Sequence, residues 1–392
     1  MFKSVLSLTL AAALGTASFG QTTLTAIPGE AAAAKYASIS QEILRAIEKG
    51  NEYLKSKQNS EGYWAQPSYP ALTALAVTAY MRDPANQGKP VPEYIRKGYD
   101  FILKSQKEDG SIFNRGMSSY NTAVCMMALL AANKEEYAPA ILKGRAYLIK
   151  QQNHFAPDNP YNGGIGYGDK QAPPIADLSN TSLALEAIYY SQKLAKDGKY
   201  GEQPDLDWNA ATEFINRCQQ NPAVNKEPWV SNDKSQLGGF VYRPGVSSAR
   251  DKKSAAFDKA EPPKAYGSMT YAGMQSLIYA NVDKNDPRVK LALKWLENSY
   301  SLDENPGMGV QGLYYYYQAM SKALSAMGID TLTLENGRKV DWRDELANKL
   351  ISIQKSDGSW VNTNNRWWEA DPVLVTSYCV LALEQLYHSI PR

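Results

Sequence analysis

The stretch QKSDGSWVN, residues 354–362, joins a glutamine, an Asp-Gly pair and an aromatic residue. Related stretches occur earlier in the chain, QNSEGYWAQ at 58–66 and QKEDGSIFN at 106–114. Glycine adopts positive φ at little cost, so each acidic residue–glycine pair predicts a tight turn. Because the pattern recurs, it predicts a repeated turn between helices, with the glutamine amide satisfying exposed polar groups and the aromatic covering them.

The turns separate two unlike kinds of helix. VPEYIRKGYDFILKSQ (91–106) has its apolar residues on one stripe, which is typical of an amphipathic helix at a surface. SSYNTAVCMMALLAAN (118–133) is apolar or small on nearly every face and must therefore be buried all round.

This pair of helices recurs along the chain. Helices of the outer, amphipathic type are predicted to begin near Glu42, Glu93, Tyr137, Trp208, Asp286 and Asp341. Helices of the inner, apolar type are predicted to begin near Tyr69, Ser118, Asp177, Tyr266, Gln311 and Asp371. Glutamines close five of the outer helices: Gln58, Gln106, Gln151 or Gln152, Gln219 and Gln354. The fifth repeat has NSYSLDENPG in place of this pattern.

Six such pairs are satisfied by two concentric rings, in which the amphipathic helices face water and the apolar helices are enclosed. A linear solenoid is the competing arrangement, but it would leave apolar helices uncovered at its ends. The sequence therefore predicts an all-α protein, an α6/α6 toroid of six helix-pair repeats over residues 42–388.

The first residues predict an export signal. Lys3 precedes an apolar run from Val5 to Leu14 and the small-residue stretch TASFG. The run is too short to span a bilayer, so residues 1–20 are expected to be a secretory signal peptide, with an uncleaved anchor as the rival. Residues 21–41 are expected to be a linker, and the protein to be periplasmic or extracellular.

Composition excludes several function classes. The chain has 392 residues, 21% of them charged, and a formal net charge of +2, which offers no electrostatic basis for binding nucleic acid. No second apolar run reaches transmembrane length. Cys125, Cys218 and Cys379 lie in apolar stretches and are expected to be core residues without disulfides.

Three loops exceed what the repeat requires: 153–176, 220–265 and 301–312. Each leads into an inner helix, so the three are expected to gather at one mouth of the ring, where function is most expected. The charged stretch 247–263 is expected to be a mobile flap.

The Gln…Asp-Gly-x-Trp turn followed by a small-residue helix resembles the QW-motif repeat of squalene cyclases and protein prenyltransferase β subunits. The stretches ADLSNTSLALEAI, GGFVYRPG, YGSMTYAGMQSLIYA and NPGMGVQGLYYYYQAM look like those of secreted bacterial relatives. The resemblance covers the chain from Glu42 to Leu386. It implies a toroid that binds an apolar or amphiphilic, isoprenoid-type ligand in a central cavity and, if it is an enzyme, an isoprenoid cyclase or transferase.

The chain departs from the family pattern at the catalytic acid motif of the cyclases and at the metal-binding motifs of the prenyltransferases. The cyclase element D-x-D-D-T-A matches residues 177–182, where Ser179 occupies the position of the proton donor and only Asp177 remains. Asp177 is therefore predicted first as a helix N-cap. His154 and His388 lack the spacing of the prenyltransferase zinc site, and DDxxD is absent, so neither a metal nor a cofactor is expected.

Other carboxylates are candidates. Glu369 follows Trp367 and Trp368, where desolvation would raise its pKa, although a solvated loop acid is the alternative. Asp371 precedes Pro372 and suits an N-cap. The catalytic candidates are Asp177, Glu369 and Asp371. Glu186 lies in an apolar run and requires a partner, expected on a neighbouring inner helix.

The chain is rich in aromatic residues that could line a ligand cavity, with 26 Tyr and 8 Trp. The candidates for lining a ligand cavity are Tyr69, Tyr120, Ser179, Tyr266, Tyr271, Gln311, Tyr314, Tyr317, Trp367 and Trp368. Two alternatives stay open. A carbohydrate-active lyase or glycosidase would need a carboxylate pair across the mouth, for example Glu369 with Asp177. A non-catalytic module would present an apolar rim to an envelope protein.

Overall fold

A computed structural model describes residues 30–168, 175–249 and 262–390. The predicted signal peptide lies outside the described residues, as do residues 250–261 of the predicted flap. Twelve α-helices are described: α1 Glu30–Ser56, α2 Pro70–Arg82, α3 Glu93–Lys104, α4 Ser118–Ala132, α5 Ala138–Lys150, α6 Leu178–Lys196, α7 Trp208–Cys218, α8 Gly267–Tyr279, α9 Pro287–Asn298, α10 Leu313–Met327, α11 Trp342–Ser352 and α12 Pro372–Ser389. A short hairpin, β1 (Leu332–Thr333) with β2 (Lys339–Val340), joins α10 to α11.

The even-numbered helices form a closed inner ring. Each packs against the next from α2 to α12, and α12 packs against α2. The odd-numbered helices pack outside them, and α1 contacts both α11 and α12, so the outer layer also joins its ends. The predicted α6/α6 toroid is confirmed, and eleven of the twelve helices begin within two residues of the predicted position.

The first helix differs from the prediction. α1 begins at Glu30 and therefore includes residues of the segment 21–41, which the sequence predicts to be a linker. The reason is local, because alanine has the highest helix propensity and residues 31–34 are all alanine.

The recurrent glutamine bonds successive repeats together. Gln58 Nε2 donates to the carbonyl of Gly62 in its own turn and to that of Tyr94 in the next outer helix, at 2.9 and 2.7 Å. Four others make the same pair of bonds: Gln106, Gln152, Gln219 and Gln354. Gln354 donates to Ala46 of α1 and so connects the last repeat to the first.

A threonine on the following inner helix completes the turn. The backbone N–H of Trp64 donates to Thr73 Oγ1, and that of Trp360 donates to Thr376 Oγ1. Both indoles are buried and donate to a carbonyl of the preceding outer helix. The aromatic therefore covers the turn, as the sequence predicts.

The cysteines behave as predicted for core residues. All three are buried and free of disulfides. Among the described residues, no helix is both long and apolar enough to cross a membrane.

Candidate functional site

The six inner helices turn one face toward the axis of the ring. We assign this face from contacts across the ring and from side chains spaced three or four positions apart along each helix, as residues of one helical face are. This axial face comprises Leu72 and Leu75, Tyr120, Val124 and Met127, Ser179, Leu183, Glu186 and Tyr190, Gln275 and Tyr279, Tyr315, Gln318 and Lys322, and Leu374, Tyr378 and Leu381.

The axial face has two unlike halves. In the half from α2, α4 and α12, six side chains form an aliphatic wall: Leu72, Leu75, Val124, Met127, Leu374 and Leu381. At the C-terminal end of α2, Arg82 donates to Gln385 of α12 and its charge acts on Tyr190 of α6. The half from α6, α8 and α10 carries a polar wall: Glu186, Gln275, Gln318 and Lys322. An elongated molecule on the axis would meet methyl groups on one side and polar groups on the other.

A layer of tyrosines crosses the axis near the mouth. Tyr378 of α12 lies close enough to Tyr120 of α4 to lower the pKa of its hydroxyl, and Ser179 of α6 has the same effect on Tyr315 of α10. Neither pair joins neighbouring helices of the ring, so both span its interior. Tyr315 and Tyr378 also lie 6.0 Å apart between ring centroids. Burial raises the pKa of Tyr120 to about 12.

An ion pair crosses the axis deeper in the ring. Lys322 Nζ of α10 lies 2.5 Å from Glu186 Oε2 of α6. Glu186 follows Ser179 by seven positions and Lys322 follows Tyr315 by seven, so the pair lies about 10 Å below the tyrosine layer. Glu186 thus has the partner it requires, but on α10, with α8 between them, and not on a neighbouring helix.

Asp177 caps α6 at the mouth, as predicted. Its Oδ1 accepts from the backbone N–H of Asn180 and its Oδ2 from Asn180 Nδ2, both at 2.8 Å. Tyr242 lies close enough to lower the pKa of this carboxyl. Asp177 is 2% exposed. Burial raises its pKa to about 6, while the bonds from Asn180, the nearby Tyr242 and the charge of Arg243 oppose the rise.

We expect Asp177→Asn to be more stable than the wild type at pH 7. The folded pKa of about 6 exceeds the unfolded value of roughly 3.9, so the protonated carboxyl stabilises the fold below about pH 4 and that stability is lost as pH rises to about 6. Asparagine caps a helix as well as aspartate does and does not titrate. The gain should be about 1–3 kcal/mol at pH 7 and absent at pH 4, measured by urea unfolding across this range. Equal pH slopes for the two proteins would contradict this account.

Glu369 is buried, 1% exposed, and is a cap of a kind that the sequence does not reveal. Its Oε1 accepts from the backbone N–H of Tyr315 at 2.8 Å, and its Oε2 accepts from Asn362 Nδ2 at 2.7 Å. The carboxylate thus serves the N-terminus of α10, a different helix from the one it precedes. Burial raises its pKa, and these hydrogen bonds oppose the rise.

Asp371 caps α12 through Oδ1 and the N–H of Val373 at 2.8 Å, and Pro372 follows in the first turn, as predicted. Catalytic roles for Asp177, Glu369 and Asp371 stay predictions. In the part of the chain that the structure describes, no three His, Cys, Asp or Glu side chains come together as metal ligands.

The four consecutive tyrosines of α10, Tyr314–Tyr317, point in different directions and have different neighbours. Tyr315 alone of the four faces the axis. Tyr314 and Tyr317, predicted to line the cavity, donate their hydroxyls to the carbonyls of Val361 and Leu302 in loops. Tyr271 is buried with its ring centroid 5.5 Å from that of Tyr316, so it packs between α8 and α10.

The remaining predicted cavity residues lie at the mouth. Trp367 and Trp368 are 45% and 39% exposed. Trp368 packs on Tyr69 at 4.6 Å between centroids, and Arg366 lies 4.5 Å from the centroid of Trp367. Gln311 Oε1 accepts from Arg366 Nη1 at 2.7 Å. Tyr266 is buried at the start of α8 and is hydrogen-bonded to Ser248.

The backbone of this rim is strained. Trp367 and Trp368 have φ of 55° and 64°, a region that bulky residues rarely adopt. Met117, which precedes α4, has φ of 51°. Such strain is concentrated at functional sites, where surrounding structure holds it. We define the rim patch as Trp367, Trp368 and the 42% exposed Val310.

The sequence did not indicate most of the axial face, including Lys322, Tyr315 and Tyr378, nor the position of Tyr242 beside Asp177. The signal for Lys322 was present, because it is a charged residue within a helix that is otherwise apolar and tyrosine-rich. Tyr242 lies in the 220–265 loop, and nothing local indicates its contact with Asp177.

The same architecture occurs in the type II terpene cyclase MstE from Scytonema. The unliganded enzyme matches with a TM-score of 0.53 at 11% identity, over 89% of this chain and 99% of that chain. Two MstE variants, one with the substrate geranylgeranyl dihydroxybenzoate and one with the product merosterolic acid A, each match with a TM-score of 0.52 at 10% identity, over 90% of this chain and 99% of theirs. No family model matches the sequence. At this identity the likeness establishes the fold, which is that of a terpenoid cyclase-like toroid.

Proposed function

We propose that this toroid binds an elongated apolar ligand of the isoprenoid class along its axis. The observation that carries the proposal is the aliphatic wall, six side chains of α2, α4 and α12 turned toward the interior of a closed ring. Burial of a hydrocarbon chain against such a surface contributes about 25 cal/mol for each Å² removed from water. MstE, which shares the fold, has been captured with a geranylgeranyl compound, so this architecture accommodates ligands of that class.

The rim patch supports a route to the axis. Exposed indoles beside Val310 present an apolar surface next to the N-termini of α2 and α10. An isoprenoid entering there would pass the tyrosine layer, where Tyr120 lies near Tyr378 and Tyr315 near Ser179. Rotation of Tyr120 or Tyr315 would open the way.

The proposal concerns binding and does not include alkene protonation. Ser179 stands where the resemblance to cyclases places the proton donor, and a hydroxyl is too weak an acid to protonate an alkene. Asp177 is almost fully buried, and both of its oxygens accept hydrogen bonds. The same burial argues against a glycosidase that uses Asp177 and Glu369, because neither carboxylate is accessible to a sugar.

Tritiated all-trans-geranylgeraniol, presented on cyclodextrin and separated by gel filtration, tests the proposal. We expect binding at one molecule per chain. Leu183→Trp should weaken binding about 10-fold or more, because the indole fills the axis between Ser179 and Glu186. The matched control is Leu237→Trp, at a position 38% exposed on the surface, which should bind as the wild type does.

Binding that survives Leu183→Trp but is lost on Trp367→Ala would place the ligand on the rim and contradict the proposal. That outcome would favour the non-catalytic module, which presents the rim patch to a partner. Absence of binding to the wild type would also contradict it.

A further inference from the structure

The Glu186–Lys322 ion pair has hydrogen-bonding capacity that the described residues leave unfilled. Lys322 Nζ has three donors and makes one bond, to Glu186 Oε2. Among the described residues, Glu186 Oε1 has no hydrogen-bond donor. The side chain of Glu186 is 8% exposed and that of Lys322 is 20% exposed, so both are largely withdrawn from bulk water.

The pair faces the axis, where the proposed ligand would lie. It joins α6 to α10, and the charge of Glu186 acts on Tyr279 of α8, whose hydroxyl accepts from Gln275 Nε2 at 2.6 Å. The aliphatic wall is opposite. A ligand seated against that wall therefore presents its other side to one spare acceptor and two spare donors.

The two charges of the pair cancel each other, which favours a neutral ligand group beside them; the next charge, Arg82 of α2, acts on Tyr190, one helical turn beyond Glu186. A carboxylate or phosphate would be attracted by Lys322 but repelled by Glu186. An ammonium group would be attracted by Glu186 but repelled by Lys322. A hydroxyl is neutral and is both donor and acceptor. Its oxygen accepts from Lys322 Nζ while its hydrogen is donated to Glu186 Oε1.

We infer that the axial ligand carries a neutral hydroxyl group, and that Glu186 and Lys322 together select an isoprenoid alcohol over the hydrocarbon, acid or amine of the same chain. The inference rests on the proposed function. A ligand without a hydroxyl displaces the water from this site but leaves the spare donors of Lys322 and the spare acceptor of Glu186 without hydrogen-bond partners. The free-energy cost of these unpaired groups weakens the binding of that ligand.

The test is competition on the wild-type protein among four probes of one chain length: all-trans-geranylgeraniol, its C20 hydrocarbon, geranylgeranoic acid and geranylgeranylamine, each at pH 7.5. Native mass spectrometry measures the bound fraction of each. The alcohol should bind about 10- to 100-fold more tightly than each of the other three. If the alcohol and the hydrocarbon bind equally, the inference is overturned while the proposed function stands. If none of the four binds, the proposed function itself fails.

Two double variants assign the selectivity to the pair. Glu186→Leu with Lys322→Met replaces both charges with apolar groups, which buried ion pairs commonly tolerate, and should bring the ratio of alcohol to hydrocarbon affinity to about 1. Glu186→Lys with Lys322→Glu exchanges the charges, keeps a donor and an acceptor, and should retain a preference for the alcohol. A ratio unchanged in the apolar variant, with the protein folded by thermal unfolding, would overturn the assignment.

Discussion

Replacement of Gly358 by alanine is expected to destabilise the folded protein by about 2–5 kcal/mol. Gly358 has φ of 87°, and a Cβ at this position would overlap the backbone carbonyl of Lys49 in α1. The overlap cannot be relieved by rotating a side chain, because the added Cβ is fixed to the backbone at position 358 and the Lys49 carbonyl is itself backbone. This turn also holds the Gln354 bridge that joins the last repeat to the first, so the substitution acts on closure of the ring.

The control is Gly88→Ala. Gly88 has a similar φ of 74°, but a Cβ added there would meet no described atom within 4 Å. Its cost should be limited to the conformational term, about 1 kcal/mol. Urea unfolding of the two variants separates the free-energy cost of positive φ, which both share, from the cost of the overlap with Lys49, which only Gly358→Ala has. Equal destabilisation would show that the contact with α1 does not matter.

Replacement of Lys322 by methionine is expected to destabilise the protein by about 2–4 kcal/mol at neutral pH. The substitution leaves the carboxylate of Glu186 in the interior without its cation, at a site where the side chain is 8% exposed. The value falls near the lower end for buried pairs, because the side chain of Lys322 keeps 20% of its surface accessible. Combination with Glu186→Leu should recover most of the loss, since the uncompensated charge is then gone.

An exposed pair of nearly the same length serves as the control. Lys349 Nζ lies 2.6 Å from Asp303 Oδ1, but the aspartate side chain is 89% exposed. Lys349→Met should therefore change the free energy of unfolding by no measurable amount. A double-mutant cycle at Glu186 and Lys322 that gives no coupling energy would contradict the assignment of the pair to the interior.

The fold was predictable because its repeats reuse the same local chemistry. Gln58, Gln106, Gln219 and Gln354 can be located by their turns, and each donates to one carbonyl of its own turn and to one carbonyl at a neighbouring outer helix. Helix starts were predictable for the same reason, since aspartate before a helix, as at Asp177 and Asp371, is a local signal.

The site was less predictable, because its contacts depend on how helices are rotated and on chain segments far apart. Neighbouring residues on a helix point about 100° apart, so four consecutive tyrosines do not reveal that Tyr315 faces the axis. Glu369 caps α10 from a position 54 residues beyond Tyr315. The Glu186–Lys322 pair joins residues 136 positions apart. No local pattern encodes such contacts.

The most direct test of an axial ligand is a crystal structure with an isoprenoid alcohol that carries iodine at the end remote from the hydroxyl. Anomalous scattering would locate the iodine without assumptions about the rest of the ligand. We expect one strong peak on the axis, between the aliphatic wall of α2, α4 and α12 and the polar wall of α6, α8 and α10. A peak over Trp367 and Trp368 at the rim, with an axis that contains only water, would contradict it.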